Sequence, residues 1–256
     1  MNGAFSEQTV AWVNQIGTIL GGFDGKRIVE IGQHADTRLL RCISSLFKPK
    51  ELIGFNPAFP SQKLNEVARV QQDCAENNGL PDSSVDGIYS DCAFEHVPNL
   101  PELLKEMHRI LVPGGRLFAH FGPLWSTSYG HHLAAADDQG RWFNYHAVCL
   151  PPWCHLLLTQ PQVESILCRA FSPETARAWG DFIFKSPEQN RLFFSDYDRL
   201  FAESDFRRLF MTGYADLPFS PDYQPGNAVA LFQELAKRYP DKSGYGYHVV
   251  TALLTK

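Results

Sequence analysis

Between residues 25 and 123 the chain alternates short apolar runs with amphipathic stretches, and that alternation admits few folds. "KRIVEIG", "ELIGFNP", "VDGIYSD" and "RLFAHFGP" are each short, apolar and bounded by turn-forming residues, so they read as strands. From Asp36 or Thr37, either a good N-cap, Leu39, Leu40, Ile43, Leu46 and Phe47 recur on one helical face that Lys48 and Pro49 close. "SQKLNEVARV" predicts a short helix running into a strand edge at "VQQD". "PNLPELLKEMHRIL" gathers Leu103, Leu104, Met107, Ile110 and Leu111 on one face before "PGG" breaks it. Strands that alternate with helices at this pace require a parallel sheet, and right-handed crossovers cover both of its faces.

The flanks extend the same plan. Val10, Trp12, Val13, Ile16, Ile19 and Leu20 predict an amphipathic helix stopped by "GGFDGK". "FFSDYDRLFAESDF" reads as a helix, "RRLFMTGYA" as a strand and "GYGYHVVTALLTK" as a last strand rich in β-branched residues. The expectation is therefore a doubly wound, mostly parallel α/β sheet of seven strands. Between strands five and six the rhythm fails: residues 124–195 are crowded with His, Trp, Tyr and Pro and have little clean periodicity. A segment of that length is a functional or partly helical insertion. We expect one domain over 1–256, with an N-terminal helix or lid (1–22), a core (23–123 and 196–256) and a substrate or lid insertion (124–195).

Bulk properties narrow the function. A net charge of -5 disfavours a nucleic-acid partner. No apolar run approaches the roughly 20 residues of a membrane span, and "MNGAFSEQTV" lacks the pattern of a secretory leader. The six cysteines show no C-x-x-C pair and no zinc-ligand spacing. Reduced thiols, no metal and a cytoplasmic location are the expectation.

Against this plan, "VEIG", "IGFNP", "RVQQDCAENNGLPDSSVDGIYSDCAFEHV" and "LLKEMHRILVPGGRLF" stand in order. In that order they resemble the class I S-adenosylmethionine-dependent methyltransferases of the small-molecule branch. The resemblance spans residues 25–123 and 190–256 and implies a Rossmann-like core with S-adenosylmethionine as cofactor. It assigns Glu30 to holding the first loop or receiving the cofactor's ammonium group, and Gly32 to the turn beneath it. Asn56, with Pro57, closes the second strand where the family carries an acid for the ribose hydroxyls. Asp73 matches the acceptor of the adenine amino group and Cys74 its backbone neighbour, while Ser90, Cys92 and Phe94 would line the wall below the methionine part. One departure is prominent. His34 stands where the family carries a glycine, adding bulk and a hydrogen-bonding group.

The resemblance also covers "GPLWSTSYGHH", which puts Tyr129, His131 and His132 on the loop leaving the cofactor end of the sheet, and His96 in the family's "EH" pair. Any of these histidines can take a proton from a hydroxyl acceptor near neutral pH. Loop packing is the alternative role for each. "SDCA" stands where base and amide methylases carry an Asn/Asp-Pro-Pro-aromatic motif, so a small-molecule acceptor is expected, with O-methylation ahead of N-methylation. Trp125, Trp142, Phe143, Tyr145 and Trp153 imply flat pocket walls, a second small core, or a contact with a second copy or partner subunit. Two other readings stay open: a non-catalytic subunit, and an enzyme that uses S-adenosylmethionine without transferring methyl.

Overall fold

The computed structural model describes residues 5–32, 35–148, 150–215 and 225–256. In chain order its elements are α1 (Glu7–Leu20), β1 (Arg27–Ile31), α2 (Arg38–Leu46), β2 (Glu51–Phe55), β3 (Gln62–Lys63), β4 (Ala68–Gln71), β5 (Val85–Asp91), α3 (Leu100–Ile110) and β6 (Leu111–Phe121). There follow β7 (Ala135–Ala136), β8 (Trp142–Phe143), α4 (Cys154–Leu157), α5 (Gln160–Leu167), α6 (Pro173–Lys185), α7 (Phe194–Glu203), β9 (Arg207–Ala215), α8 (Pro225–Arg238) and β10 (Tyr247–Thr255). Two units are distinguished. One comprises Met1–Phe121, Leu200–Thr212 and Thr251–Lys256, the other Gly122–Arg199 and Gly213–Val250. The second takes in residues 124–195 together with α8 and the adjoining parts of α7, β9 and β10.

The main sheet has the order β3-β4-β2-β1-β5-β6-β10-β9. β1 lies parallel to both β2 and β5, β2 to β4, and β5 to β6. Gly114 donates to the Lys256 carbonyl and Lys256 donates to that of Gly115, while His120 meets Thr251. The start of β6 therefore faces the end of β10, and these two strands run in opposite directions. The seven expected strands are present. The eighth, β3, is a two-residue edge strand.

That edge strand overturns the helix expected over "SQKLNEVARV". Gln62 and Lys63 pair antiparallel with Val70 and Arg69. Asn65 makes the turn by accepting from the backbone N–H of Val67 and of Ala68. An asparagine that satisfies turn donors competes directly with helix formation.

α1 begins where the Ser6 hydroxyl accepts from Thr9 N and ends at Gly21, whose φ of 76° suits a left-handed cap. Its Val13, Ile16 and Leu20 pack with Leu39, Leu40 and Ile43 of α2 over Ile28, Leu52, Val70, Tyr89 and Phe118. Each such aliphatic side chain contributes about 1.5–3 kcal/mol on burial. α2 starts at the expected pair, with Thr37 in the N-cap position. Thr37 is left-handed with no side-chain cap, and it is Asp36 that accepts from Arg38 N.

The second unit has its own core. Leu133, Val148, Val163, Leu167, Trp179 and Ile183 form one cluster, with Phe143 and Phe171 against it. Trp153, Leu156, Phe193, Leu235 and Tyr245 form another. Trp153 is fully buried and donates from Nε1 to the carbonyls of Ser126 and Tyr245. For Phe143 and Trp153 the second-core alternative is the observed one, whereas Trp142 is 70% exposed. The described cysteines are free. Among the described residues no helix is long and apolar enough to cross a membrane.

Candidate active site

Chain order in the sheet reverses between β1 and β5, and a crevice opens beyond the carboxyl ends of strands at such a point. Gly32 makes the first turn there. It has a φ of +75°, and a Cβ on it would lie 2.0 Å from the Cβ of Ala93, in the loop after β5. Glycine is thus required both by backbone conformation and by close packing of the two loops. Glu30 is 2% exposed and sits in register with Tyr89 on the adjacent strand. Burial, and then the Glu30 carboxylate, push the Tyr89 phenol well above its usual range, so it stays protonated. This burial matches the loop-holding assignment of Glu30 better than direct contact with a ligand. Gln33 and His34 lie outside the described residues.

The neighbouring strand ends supply polar groups. Asn56 is half-buried, and its Oδ1 accepts from Ala58 N at 2.8 Å. Pro57 is exposed, with its carbonyl accepting from Gln72. Asp73 and Cys74 are both exposed, and an Asp73 carboxylate oxygen accepts from Cys74 N. Desolvation, Glu76 and Asp73 together raise the Cys74 thiol. Two expected wall residues are buried and engaged in packing or strand pairing. Ser90 is 1% exposed and donates to the Ile31 carbonyl, so it ties β5 to β1. Phe94 is fully buried among Phe121 and Phe201.

After β5 the chain kinks at Cys92 (φ 54°), whose N–H donates to the His120 carbonyl at 2.8 Å. Desolvation and the carboxylates of Asp91 and Glu95 push its thiol up to about 12. Here a cleft of about 760 Å³ opens, with Asp91, Cys92 and His120 on one side, Arg38 and Leu39 on another, and α1 residues including Trp12 opposite. His120 is half-buried, its Nδ1 2.9 Å from the Thr251 hydroxyl and its ring 5.0 Å from that of Trp12. Sequence reasoning passed over His120. The available signal was a titratable residue at the carboxyl end of a parallel strand, inside the apolar "RLFAHFGP".

The remaining candidates divide between the units. His96 is exposed in the first unit, on the short 3-10 turn Phe94–His96. Tyr129, His131 and His132 belong to the second. His131 is 2% exposed and its Nδ1 accepts from Leu133 N, so its neutral-form lone pair is already used. Desolvation, then His155 and His146, push it down to about 3. Its burial and this hydrogen bond are what the loop-packing alternative for His131 requires. His155 Nε2 donates to the Trp125 carbonyl, and burial pushes that imidazole down to about 4. Tyr129 packs edge-on with His146 and His248, and His132 Nδ1 donates to the Gly130 carbonyl.

S-adenosylmethionine presents a sulfonium, an ammonium, two ribose hydroxyls and an aromatic amine. The first unit's strand ends offer matching acceptors: the carboxylates of Asp73 and Asp91 and the amide of Asn56. On donor chemistry these residues fit such a group.

Comparison with known proteins agrees. Residues 39–119 match the family model described as a methyltransferase domain. The chain is 25% identical over 147 residues, 54% of its length, to the chloroplastic tocopherol O-methyltransferase of Arabidopsis thaliana; it spans 41% of that relative's length. Among solved structures it is similar to an S-adenosylmethionine-dependent methyltransferase from Mesorhizobium loti (TM-score 0.53, 14% identity, 96% of this chain and 98% of that one). It is also similar to the geranyl diphosphate C-methyltransferase of Streptomyces coelicolor A3(2), solved with Mg2+, geranyl diphosphate and S-adenosyl-L-homocysteine (TM-score 0.52, 13% identity, 99% and 85%). At those identities the structures speak for the fold alone. With the ordered strand-end motifs, the match over residues 39–119 makes that segment similar to a methyltransferase domain, on a fold similar to that of S-adenosylmethionine-dependent methyltransferases.

Proposed function

We propose that this chain transfers a methyl group from S-adenosylmethionine to a small-molecule acceptor, with a hydroxyl or carboxyl oxygen preferred to an amine nitrogen. The observation that carries the reading is the strand-order reversal between β1 and β5, with Asn56 and Asp73 beyond neighbouring strand ends and a cleft lined by Trp12, Asp91, Cys92 and His120 beside the β5 end. A sulfonium donor brings its own leaving group, so the protein's part is positioning, exclusion of water and removal of the acceptor's proton. Asp91 and Asp73 supply the negative surroundings that favour a cationic donor. The O-methyltransferase name of the Arabidopsis relative supports oxygen as the target, and the charge balance supports a small acceptor over a nucleic acid.

Calorimetric titration of the full chain with S-adenosylmethionine and S-adenosylhomocysteine tests this. Micromolar binding of both is expected. No binding at millimolar ligand would remove the catalytic reading and leave the second one, a non-catalytic subunit. One observation favours that second reading: the ribose position holds the uncharged Asn56, whose oxygen already serves the backbone of Ala58.

A further inference from the structure

His120 closes β6, one strand out from the crevice, and Cys92 N–H bonds to its carbonyl, so its place beside the β5 end is fixed by backbone. Thr251 on β10 holds its ring at Nδ1, and Trp12 packs edge-on against it from α1. Among the described residues it is the one histidine lining the 760 Å³ cleft, and none of them hydrogen-bonds its Nε2. We propose that His120 is the catalytic base for a planar, hydroxyl-bearing acceptor seated in this cleft against Trp12, with Nε2 taking the hydroxyl proton and Thr251 as the positioning residue. The proposal rests on the methyltransferase reading above.

The chemistry balances. With Nδ1–H donated to the Thr251 hydroxyl, Nε2 carries a lone pair. The acceptor's O–H bond breaks and its proton goes to Nε2. The oxygen pair freed by that transfer forms the O–CH3 bond, the sulfonium S–CH3 bond breaks with its pair left on sulfur, and imidazolium gives its proton to water afterwards. Burial lowers the His120 pKa from its usual value, which keeps the imidazole unprotonated at pH 7, while Asp91 on the adjacent strand end opposes that shift and steadies the imidazolium once formed. The charged or titratable groups lining the cleft with His120 are Asp91 and Cys92 from the β5 end and Arg38 from α2, and Thr251 of β10 meets its ring; the α1 residues lining the cleft (Ser6, Gln8, Thr9, Ala11, Trp12 and Gln15) are uncharged.

The test uses the full chain loaded with S-adenosylhomocysteine and 4-nitrophenol as the probe, whose phenolate is coloured. Bound probe should ionise at lower pH than free probe in the unsubstituted protein. His120→Asn keeps an N–H for Thr251 but lacks Nε2, and should lower the phenolate fraction about tenfold, the equivalent of roughly one pKa unit. Thr251→Val should give a smaller drop with probe affinity retained. An equal phenolate fraction in the unsubstituted protein and His120→Asn overturns the proposal, as does the absence of bound phenolate in the unsubstituted protein. Calorimetry of S-adenosylhomocysteine on the same proteins separates the two levels. Retained binding with an unchanged phenolate signal removes His120 alone, and no binding to the unsubstituted protein removes the underlying reading as well.

Discussion

At the scale of single residues, Gly32 and Asn56 carry different kinds of information. The glycine of "VEIG" is usually read as room for a ligand, but here a Cβ would collide with Ala93 before any ligand is considered, in a backbone conformation that L-residues avoid. Gly32→Ala should therefore destabilise the protein by about 1–3 kcal/mol through strain and contact together. Adding Ala93→Gly removes the contact but not the φ, so urea titrations should show partial recovery, with about 1–2 kcal/mol of left-handed strain remaining. Full recovery would mean that the φ is costless. Asn56 carries the opposite lesson. An aspartate there keeps the acceptor for Ala58 N and adds a charge toward the ribose hydroxyls. Asn56→Asp should tighten S-adenosylmethionine binding about tenfold, the lower end of what a charge-assisted hydrogen bond contributes. Calorimetry showing no gain would place the ribose elsewhere.

At the scale of elements, α1 joins local sequence to the cleft. Ser6 caps it, and Thr9, Trp12 and Gln15 then face the cleft from successive turns. Ser6→Ala should cost about 1 kcal/mol. Hydrogen exchange should report that loss in the first turn of α1, and a loss spread evenly over the sheet would contradict a local cap. This scale also shows why parts of the chain were legible and others not. β1, β2, β5 and α3 declare themselves because buried parallel strands and one-faced helices leave strong apolar patterns. "SQKLNEVARV" mixes a helical spacing with Asn65, and the side-chain hydrogen bonds that made it a hairpin are not visible as a pattern. The 124–195 segment hid α4, α5 and α6 because two small aromatic clusters, rather than one stripe, define its buried faces. Of the site, the strand-end positions of Asn56, Asp73 and Cys92 were readable in order along the chain. The burial of Phe94 and Ser90 was not, since the same motif serves packing and binding alike, and His120 was masked by the apolar run that carries it.

At the scale of the molecule, the second unit should make the protein sensitive to mild acid. His131 and His155 are buried and neutral, pushed down to about 3 and about 4. Unfolded histidines titrate near 6.5, so between that pH and about 4 the unfolded chain binds more protons than the folded one. The stability these residues contribute is complete above pH ~6.5 and is lost as the pH falls toward their folded values. His120, shifted in the same direction, adds to the slope from the first unit. The net charge of -5 works the other way down to the isoelectric point near pH 6.0, where acid has brought it to zero and relieved self-repulsion; below that pH the growing positive charge works with the histidines. A fall in the urea midpoint between pH 7.5 and 6.0 would therefore mean that the buried histidines outweigh the charge effect. His131→Asn keeps an acceptor for Leu133 N, and His155→Gln keeps a donor for the Trp125 carbonyl. Both should flatten that dependence, with hydrogen exchange locating the acid-induced opening in residues 122–199. A midpoint that holds or rises on acidification, in the unsubstituted protein, would show that these imidazoles accept protons without unfolding.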